Sequence, residues 1–375
     1  MANLSLRQRI IQSLKIQGFS VNGHIQPMEF DKSSLKQIQD HSRKEQLKLN
    51  QKFIIDGYKT ISSYLVNGAE IDPSKIELEL KEVTEGSVEH IIYRWWNLVW
   101  WSVPYQKSYG RQMRYILWDK THNAPFGLIG LQSPVLKIAV RDKHLEIPNE
   151  ELDRWINKSL QAQRLGALPP YNLILGGKMV GLAVTSNEIR NAYKRKYNNT
   201  VTVMNGKTVD ANLLFITTTS AFGRSSIYNR LKFKEELVAQ SLGFTKGSGT
   251  FHIPQEIYTQ IQKYLTKKGI DVSTTFGKGP SRKLKLLHIA FKYLKLSDYQ
   301  FHNIQREFFL FPLVKNLKDV ISKGRKPDYH NRELNELTNF WKTRWAIPRS
   351  ERFDEFKQHN GKLFIDEIME EVLNG

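Results

Sequence analysis

Apolar residues first recur four apart. Leu6, Ile10 and Leu14 line one side of residues 4–17, and Gly18 follows, which predicts a short amphipathic helix with a glycine stop. From Asp31 the pattern resumes at Leu35, Ile38, Leu47 and Phe53, in a stretch rich in Lys, Gln and Arg, and predicts a helical run towards Leu65. Asp72-Pro73 breaks it. The period then shortens. Residues 113–118 and 126–131 flank His122-Asn123-Ala124-Pro125 and predict a β-hairpin, with 135–140 as the next strand. Pro148 opens a predicted helix that closes near Gly166. Leu173-Ile174-Leu175 reads as a short strand, and Gly176-Gly177-Lys178 opens a helix reaching Tyr197. Residues 213–217 form a buried strand by their apolar, β-branched character, 225–231 a short helix, and Gly243-Phe244 a strand up to Ile253. Helical periodicity then dominates, at 254–268, 282–295, 312–322, 331–344 and 363–373. The fold class expected is α+β. A mixed central sheet with helices occupies 76–253, between a helical N-terminal module (1–75) and a helical C-terminal module (254–375).

Composition narrows the chemistry. With 375 residues, 40% hydrophobic and 25% charged, the chain is an ordinary globular one. It has no cysteine, so disulfides, iron–sulfur clusters, cysteine zinc sites and thiol nucleophiles are excluded. Its histidines lack HExxH or HxH spacing, and acidic residues are sparse around the candidate sites, so no metal centre is expected. The aromatic cluster Trp95-Trp96-Asn97-Leu98-Val99-Trp100-Trp101 is too short to span a bilayer and Pro104 follows, so no membrane role is expected. The first residues lead into a polar helix rather than an apolar signal core, which points to the cytoplasm.

Charge supplies the first functional clue. The formal net charge is +19, and 263–352 holds 20 lysines and arginines against 8 aspartates and glutamates. A surplus of that size favours a polyanionic partner, DNA ahead of RNA. The basic candidates for contacting it are Arg111, Arg141, Lys278 in the Gly-rich stretch 276–280, Arg282, Lys283, Lys285, Arg306, and Lys342, Arg344 and Arg349 beside Trp341 and Trp345. Cations interleaved with aromatics suit phosphate contact and base stacking, and equally a solvated face over a tryptophan-bearing core.

Two further constellations could bind or react. Gly176, Gly177 and Lys178 at a helix start suit a phosphate, because glycine lets a ligand approach the backbone and the helix end is positive. The spacing is not that of a P-loop, and a tight turn that lets the helix pack would use the same glycines. The run 217–231 places hydroxyls and arginines at the end of a buried strand, where α/β sheets hold ligands. Arg224, Ser225 and Tyr228 are the catalytic candidates, with Tyr228 as proton donor, and Arg230 joins the phosphate-binding set. Ser225 is equally a helix N-cap, and Tyr228 equally a buried hydrogen-bonded side chain.

These runs resemble a known family. Tyr109-Gly110-Arg111, 126–131, Val140-Arg141-Asp142, 165–171, Leu175-Gly176-Gly177-Lys178, 217–231, 243–249, 276–280 and Trp341-Lys342-Thr343-Arg344-Trp345 with 348–352 follow in its order. Together they are similar to the DruA family of type I Druantia anti-phage defence systems. The resemblance departs at Ser281-Arg282, where the family usually carries Asn-Trp, and at His302-Asn303, where it usually carries His-Gly. It implies a role in bacterial defence beside other Druantia components, including a large helicase. The order of elements in 76–253 is also similar to GNAT-type N-acyltransferases. That second resemblance implies acyl-CoA, or another nucleotide, held by Gly176 and Gly177, with Tyr228 protonating the leaving thiolate; no other cofactor is expected. The function expected is nucleic-acid binding through a basic surface within a defence system. The alternatives are a GNAT-like acyltransferase or a DNA-processing enzyme (nuclease or transposition-related) using the same pocket, and a scaffold docking an acidic protein.

Overall fold

A computed structural model of the chain describes residues 4–104, 109–202, 206–273, 281–296 and 298–374. Ser5 starts α1 (Leu6–Ile16) with a capping box: its hydroxyl accepts from the Gln8 N–H, and the Gln8 side chain accepts from the Ser5 N–H. Ile10 and Leu14 are buried, as their spacing predicts. After Gly18 a small antiparallel hairpin forms from β1 (Phe19–Asn22) and β2 (His24–Pro27). The helical run predicted beyond Asp31 is two helices, α2 (Lys32–Leu49) and α3 (Gln51–Ser62), divided at Asn50.

β3 (Leu78–Glu82) and α4 (Val88–Val99) lead to the predicted hairpin of β4 (Gln112–Asp119) and β5 (Ala124–Gln132). Asp119 closes its turn although fully buried. Its carboxylate accepts from the Thr121 and His122 N–H groups, the Tyr171 hydroxyl at 2.9 Å and the His122 ring at 2.6 Å. A buried carboxylate needs that many donors. Residues 135–140 are not the strand their composition predicts; they lead into α5 (Ala139–His144). The helix predicted after Pro148 is only α6 (Leu152–Ile156), because the rest of that segment is β6 (Ser159–Ala167). Residues 171–174 form a 3-10 turn rather than a strand. The helix opened by Gly176 is two, α7 (Gly176–Ala183) and α8 (Asn187–Tyr197), the second capped by the Ser186 hydroxyl.

β7 (Phe215–Thr219) is the predicted buried strand. The short pieces β8 (Lys232–Phe233) and β9 (Glu236–Leu237) precede β10 (Gln240–Phe244), then come α9 (Gln255–Lys267), α10 (Arg282–Tyr293), β11 (Glu307–Pro312), α11 (Leu317–Lys323), α12 (Leu334–Trp341), α13 (Ile347–Arg352) and α14 (Gly361–Asn374). The seven-stranded sheet runs β10-β11-β7-β6-β5-β4-β3. β6 and β7 are parallel and the other neighbours antiparallel. β11 inserts between β10 and β7, with Leu310 opposite Gln240 on one side and Thr217 on the other. The sheet expected within 76–253 therefore reaches Pro312, and the residues between β10 and β11 are an insertion between neighbouring strands.

Alternation along β4 divides the core. Met113, Tyr115 and Leu117 pack with α7, α8 and α12 on one face of the sheet, while Ile116 and Trp118 pack with α3, α4 and α14 on the other. A separate apolar cluster joins α1, the β1–β2 hairpin, Leu35 and Ile38 of α2, α9 and α10. The chain's beginning and the insertion thus share one core, which we call the helical module. The N-terminal segment expected as one unit is split between this core and the sheet.

Candidate nucleic-acid interface

α10 carries the densest outward charge of the helical module. The Ser281 hydroxyl caps it by accepting from the Leu284 N–H. Leu286, Leu287, Ala290 and Phe291 are buried and leave Lys285, His288, Lys292 and, just past the helix, Lys295 exposed along one stripe three and four residues apart. No acidic residue occurs from Arg282 to Leu296. Among the described residues, none of Arg282, Lys285, Lys292 and Lys295 forms an ion pair. Arg282 is exposed and turns back onto the Val272 carbonyl. Lys283 points inward: its Nζ donates to the Ile253 carbonyl at 2.8 Å and lies 5.2 Å from the centre of the Tyr258 ring, and burial lowers its pKa. It pins α10 to α9 rather than facing a ligand. Arg7, Arg9 and Lys15 on α1, and Lys263, Lys267 and Lys268 around α9, are exposed on the same module. Two of its acids are occupied locally: Asp31 caps α2 and Asp271 closes a turn with Ser273.

The arginines predicted to face nucleic acid from the sheet region are turned inward. Arg111 donates to the carbonyls of Ile156 and Asn157, both at 2.8 Å, and to the Tyr193 hydroxyl. Arg141 is 1% exposed and holds the carbonyls of Val135 and Leu136 together with Asp142. Both lock irregular segments that have no ladder of their own. Arg306 is half-buried just before β11. Lys278 lies outside the described residues.

Lys342, Arg344 and Arg349 belong to a helix broken by its own proline. Pro348 has no N–H to donate and its ring crowds the carbonyl four residues back, at Arg344. The chain widens there into a π-helical turn, Lys342–Ala346, in which the Ile347 N–H reaches the Lys342 carbonyl. Arg344 is exposed; Lys342 donates to the Ser74 carbonyl at 3.1 Å and Arg349 lies over the Phe353 ring at 3.8 Å. The turn brings the Trp345 ring to 5.2 Å from the Lys178 Nζ, so the Gly-Gly-Lys segment and the Trp-Lys-Thr-Arg-Trp segment meet in space.

The run 220–231 forms turns, not the predicted helix, with Arg230 in the left-handed region at φ 66. Its organiser is Glu307, which sequence reasoning missed. This carboxylate is 5% exposed and accepts from the Ser225 N–H at 3.1 Å, the Asn229 amide at 3.0 Å and the Ser241 hydroxyl at 2.7 Å. Ser225 in turn accepts from the Tyr228 N–H. Tyr228 is buried, its hydroxyl donates to the Leu165 carbonyl at 3.1 Å, and desolvation raises its pKa. Arg224 and Arg230 are exposed.

The glycines are spent on packing. A Cβ at Gly176 would fall 2.6 Å from the Tyr171 carbonyl oxygen, and one at Gly177 would fall 3.2 Å from Ile227. Leu231 and Tyr228 close in the same way on Gly181. The Lys178 Nζ sits 3.5 Å from the Ile227 carbonyl, with its pKa lowered by burial. The turns of 225–231 therefore cover the start of α7, and the residues present do not fit a diphosphate cradled there. Among the described residues no group of three or more His, Cys, Asp or Glu is placed to hold a metal, and no helix is long and apolar enough to cross a membrane. The signal that could have singled out Lys292 and Lys295 was the acid-free stretch from Arg282 to Leu296.

Fold and surface define an α+β protein in which a basic helical module is let into the edge of a mixed sheet. A family model described as Druantia protein DruA matches residues 29–323. The chain is also 32% identical to the Druantia protein DruA of Escherichia coli (strain UMEA 4076-1), over 98% of this chain and 93% of that one. It belongs to the DruA family, as its motifs imply. No solved structure matches it.

Proposed function

We propose that this chain is the nucleic-acid-binding component of a Druantia anti-phage system, working beside other Druantia components that include a helicase, and that the helical module is the part that grips DNA. The observation that carries this reading is α10: a capped helix, anchored by its apolar side, that with Lys295 just beyond it offers Lys285, His288, Lys292 and Lys295 with no ion pair to an acid among the described residues. Such a face gains from phosphate contact through released counterions. The test is a mobility-shift and anisotropy series with single- and double-stranded DNA and with RNA. Wild-type chain should bind DNA at about 50 mM salt and lose orders of magnitude in affinity by about 200 mM. The triple variant K285E/K292E/K295E should weaken binding about a hundredfold with its fold intact. Binding that ignores salt and the triple variant defeats the reading. Capture of a protein partner that resists nuclease would instead favour an acidic protein docked on the same face.

The order of elements in the core supports a GNAT-like build: antiparallel strands, then β6, a glycine-opened helix, and β7 parallel to β6. The packed glycines and the occupied Tyr228 hydroxyl argue against acyl-CoA chemistry on it. CoA compounds should leave the unfolding temperature unmoved.

A further inference from the structure

Arg306 is a second anomaly, independent of α10. Its main chain is well tied. Its N–H donates to the Thr245 hydroxyl at 3.2 Å, its carbonyl accepts from the Thr245 N–H at 2.9 Å, and it pairs in parallel with Gly223. Its side chain is not. Among the described residues the guanidinium makes no hydrogen bond and no ion pair, and its Nε is sealed from solvent. Burial pushes its pKa down to about 10, with no carboxylate acting against it. Glu307, the adjacent acid, leaves the strand on the opposite side and is engaged by Ser225, Asn229 and Ser241.

The other titratable neighbours do not help. His302 and His252 are both buried, with ring centres 5.5 Å apart. The His302 Nδ1 accepts from the Ile304 N–H, and a ring nitrogen of His252 meets the Tyr299 carbonyl at 2.8 Å. Burial pushes their pKa values down to about 3 and about 4, so at neutral pH both are uncharged. Among the described residues Arg306 thus has no counter-charge. A half-buried cation whose Nε is shut off from water without a partner calls for one. Space for a partner exists. Gly223, bridged to Arg306, stands in the left-handed region at φ 49, and a Cβ added there would meet nothing within 4 Å.

We infer that Arg306, beside the open main chain of Gly223, is the seat of a phosphate-type oxyanion at the seam between the sheet and the helical module. The planar fork of arginine matches that chemistry. The oxyanion is either a free phosphate, such as that of a mononucleotide, or one phosphate of a nucleic-acid backbone. Thermal unfolding of the full chain tests the site, titrated against chloride of equal ionic strength with inorganic phosphate or, in the K285E/K292E/K295E background that removes the α10 lysines, with a short DNA oligonucleotide. With Arg306 intact the chain should show a saturable rise in Tm that chloride does not reproduce. A rise with phosphate identifies the free ion as sufficient; a rise with the oligonucleotide alone identifies the backbone. Arg306→Met should abolish the rise, while its own Tm in chloride stays equal to wild type or higher, since no side-chain hydrogen bond or ion pair is lost among the described residues. No rise with either probe, or a rise that survives Arg306→Met, overturns the inference. So does a fall of several degrees in the chloride Tm of Arg306→Met that Arg306→Lys restores, because that is the behaviour of a structural arginine. Should Arg306→Met fail to fold, the same comparison is made with Arg306→Lys and Arg306→Gln.

Discussion

The sheet region and the helical module use the same residue types in opposite ways. Around the sheet, Arg111 and Arg141 face inward and end on carbonyls and a carboxylate. On α10, Lys285 and Lys292 face outward and form no ion pair among the described residues. The net charge of +19 therefore mixes two populations. One is structural mortar and invisible to any partner. The other is an electrostatic surface. Which population a given arginine joins is decided by whether irregular backbone nearby needs donors, and that is a property of the folded chain.

Four perturbations separate the populations, and the largest acts on the inward one. Arg141→Ala should lower unfolding free energy by about 3–5 kcal/mol, since it strands Asp142 and two carbonyls. Urea midpoints would show this, and an unchanged midpoint would make Arg141 a surface group after all. The next concerns pH. His252 and His302 keep folded pKa values of about 4 and about 3, below the ordinary 6.5, so the unfolded chain binds their protons first as pH falls. Their contribution is intact above about 6.5 and is lost on the way down to about 4, at about 1.4 kcal/mol per pH unit for each. In His252→Gln that slope, read from urea midpoints between pH 7 and 5, should lose the share of one histidine, up to about 1.4 kcal/mol per pH unit.

The third perturbation reverses the outward charge. K285E/K292E/K295E should weaken DNA binding about a hundredfold, or about 2.7 kcal/mol, and flatten its salt dependence. The exposed Lys52 and Lys59 on α3 serve as the control; reversing them should change affinity far less. Equal losses from both sets would erase the distinction between the two regions. The smallest effect is expected at Tyr228→Phe, which leaves the Leu165 carbonyl without its donor and should cost about 1 kcal/mol. Calorimetry would detect it, and a neutral result would reopen the question of what that hydroxyl does.

Much of the fold was readable where local pattern and tertiary role agree. The β4–β5 hairpin, α1, α9 and α10 follow from alternation, turn residues and a four-residue repeat. β6 was not readable, because its Gln, Ala and Arg favour a helix and only the neighbours β5 and β7 make it a strand. β11 escaped for a related reason. Glu307-Phe308-Phe309-Leu310-Phe311-Pro312 is buried along its whole length, so it shows no alternation and merges into a helical region. The candidate site divides in the same way. An acid-free helix can be seen in the letters, whereas the inward turn of Arg111 and Arg141 and the packing of Gly176 and Gly177 depend on contacts far along the chain.

The lodging of α9 and α10 between β10 and β11 has a mechanical consequence. Both ends of that excursion are sewn into adjacent strands, and its interior is completed by α1 and the β1–β2 hairpin from the other end of the polypeptide. A pull on α10 is therefore delivered along the margin of the sheet rather than absorbed by a slack tether. Neither piece can be cut away as an independent fragment without leaving an apolar wound on what remains.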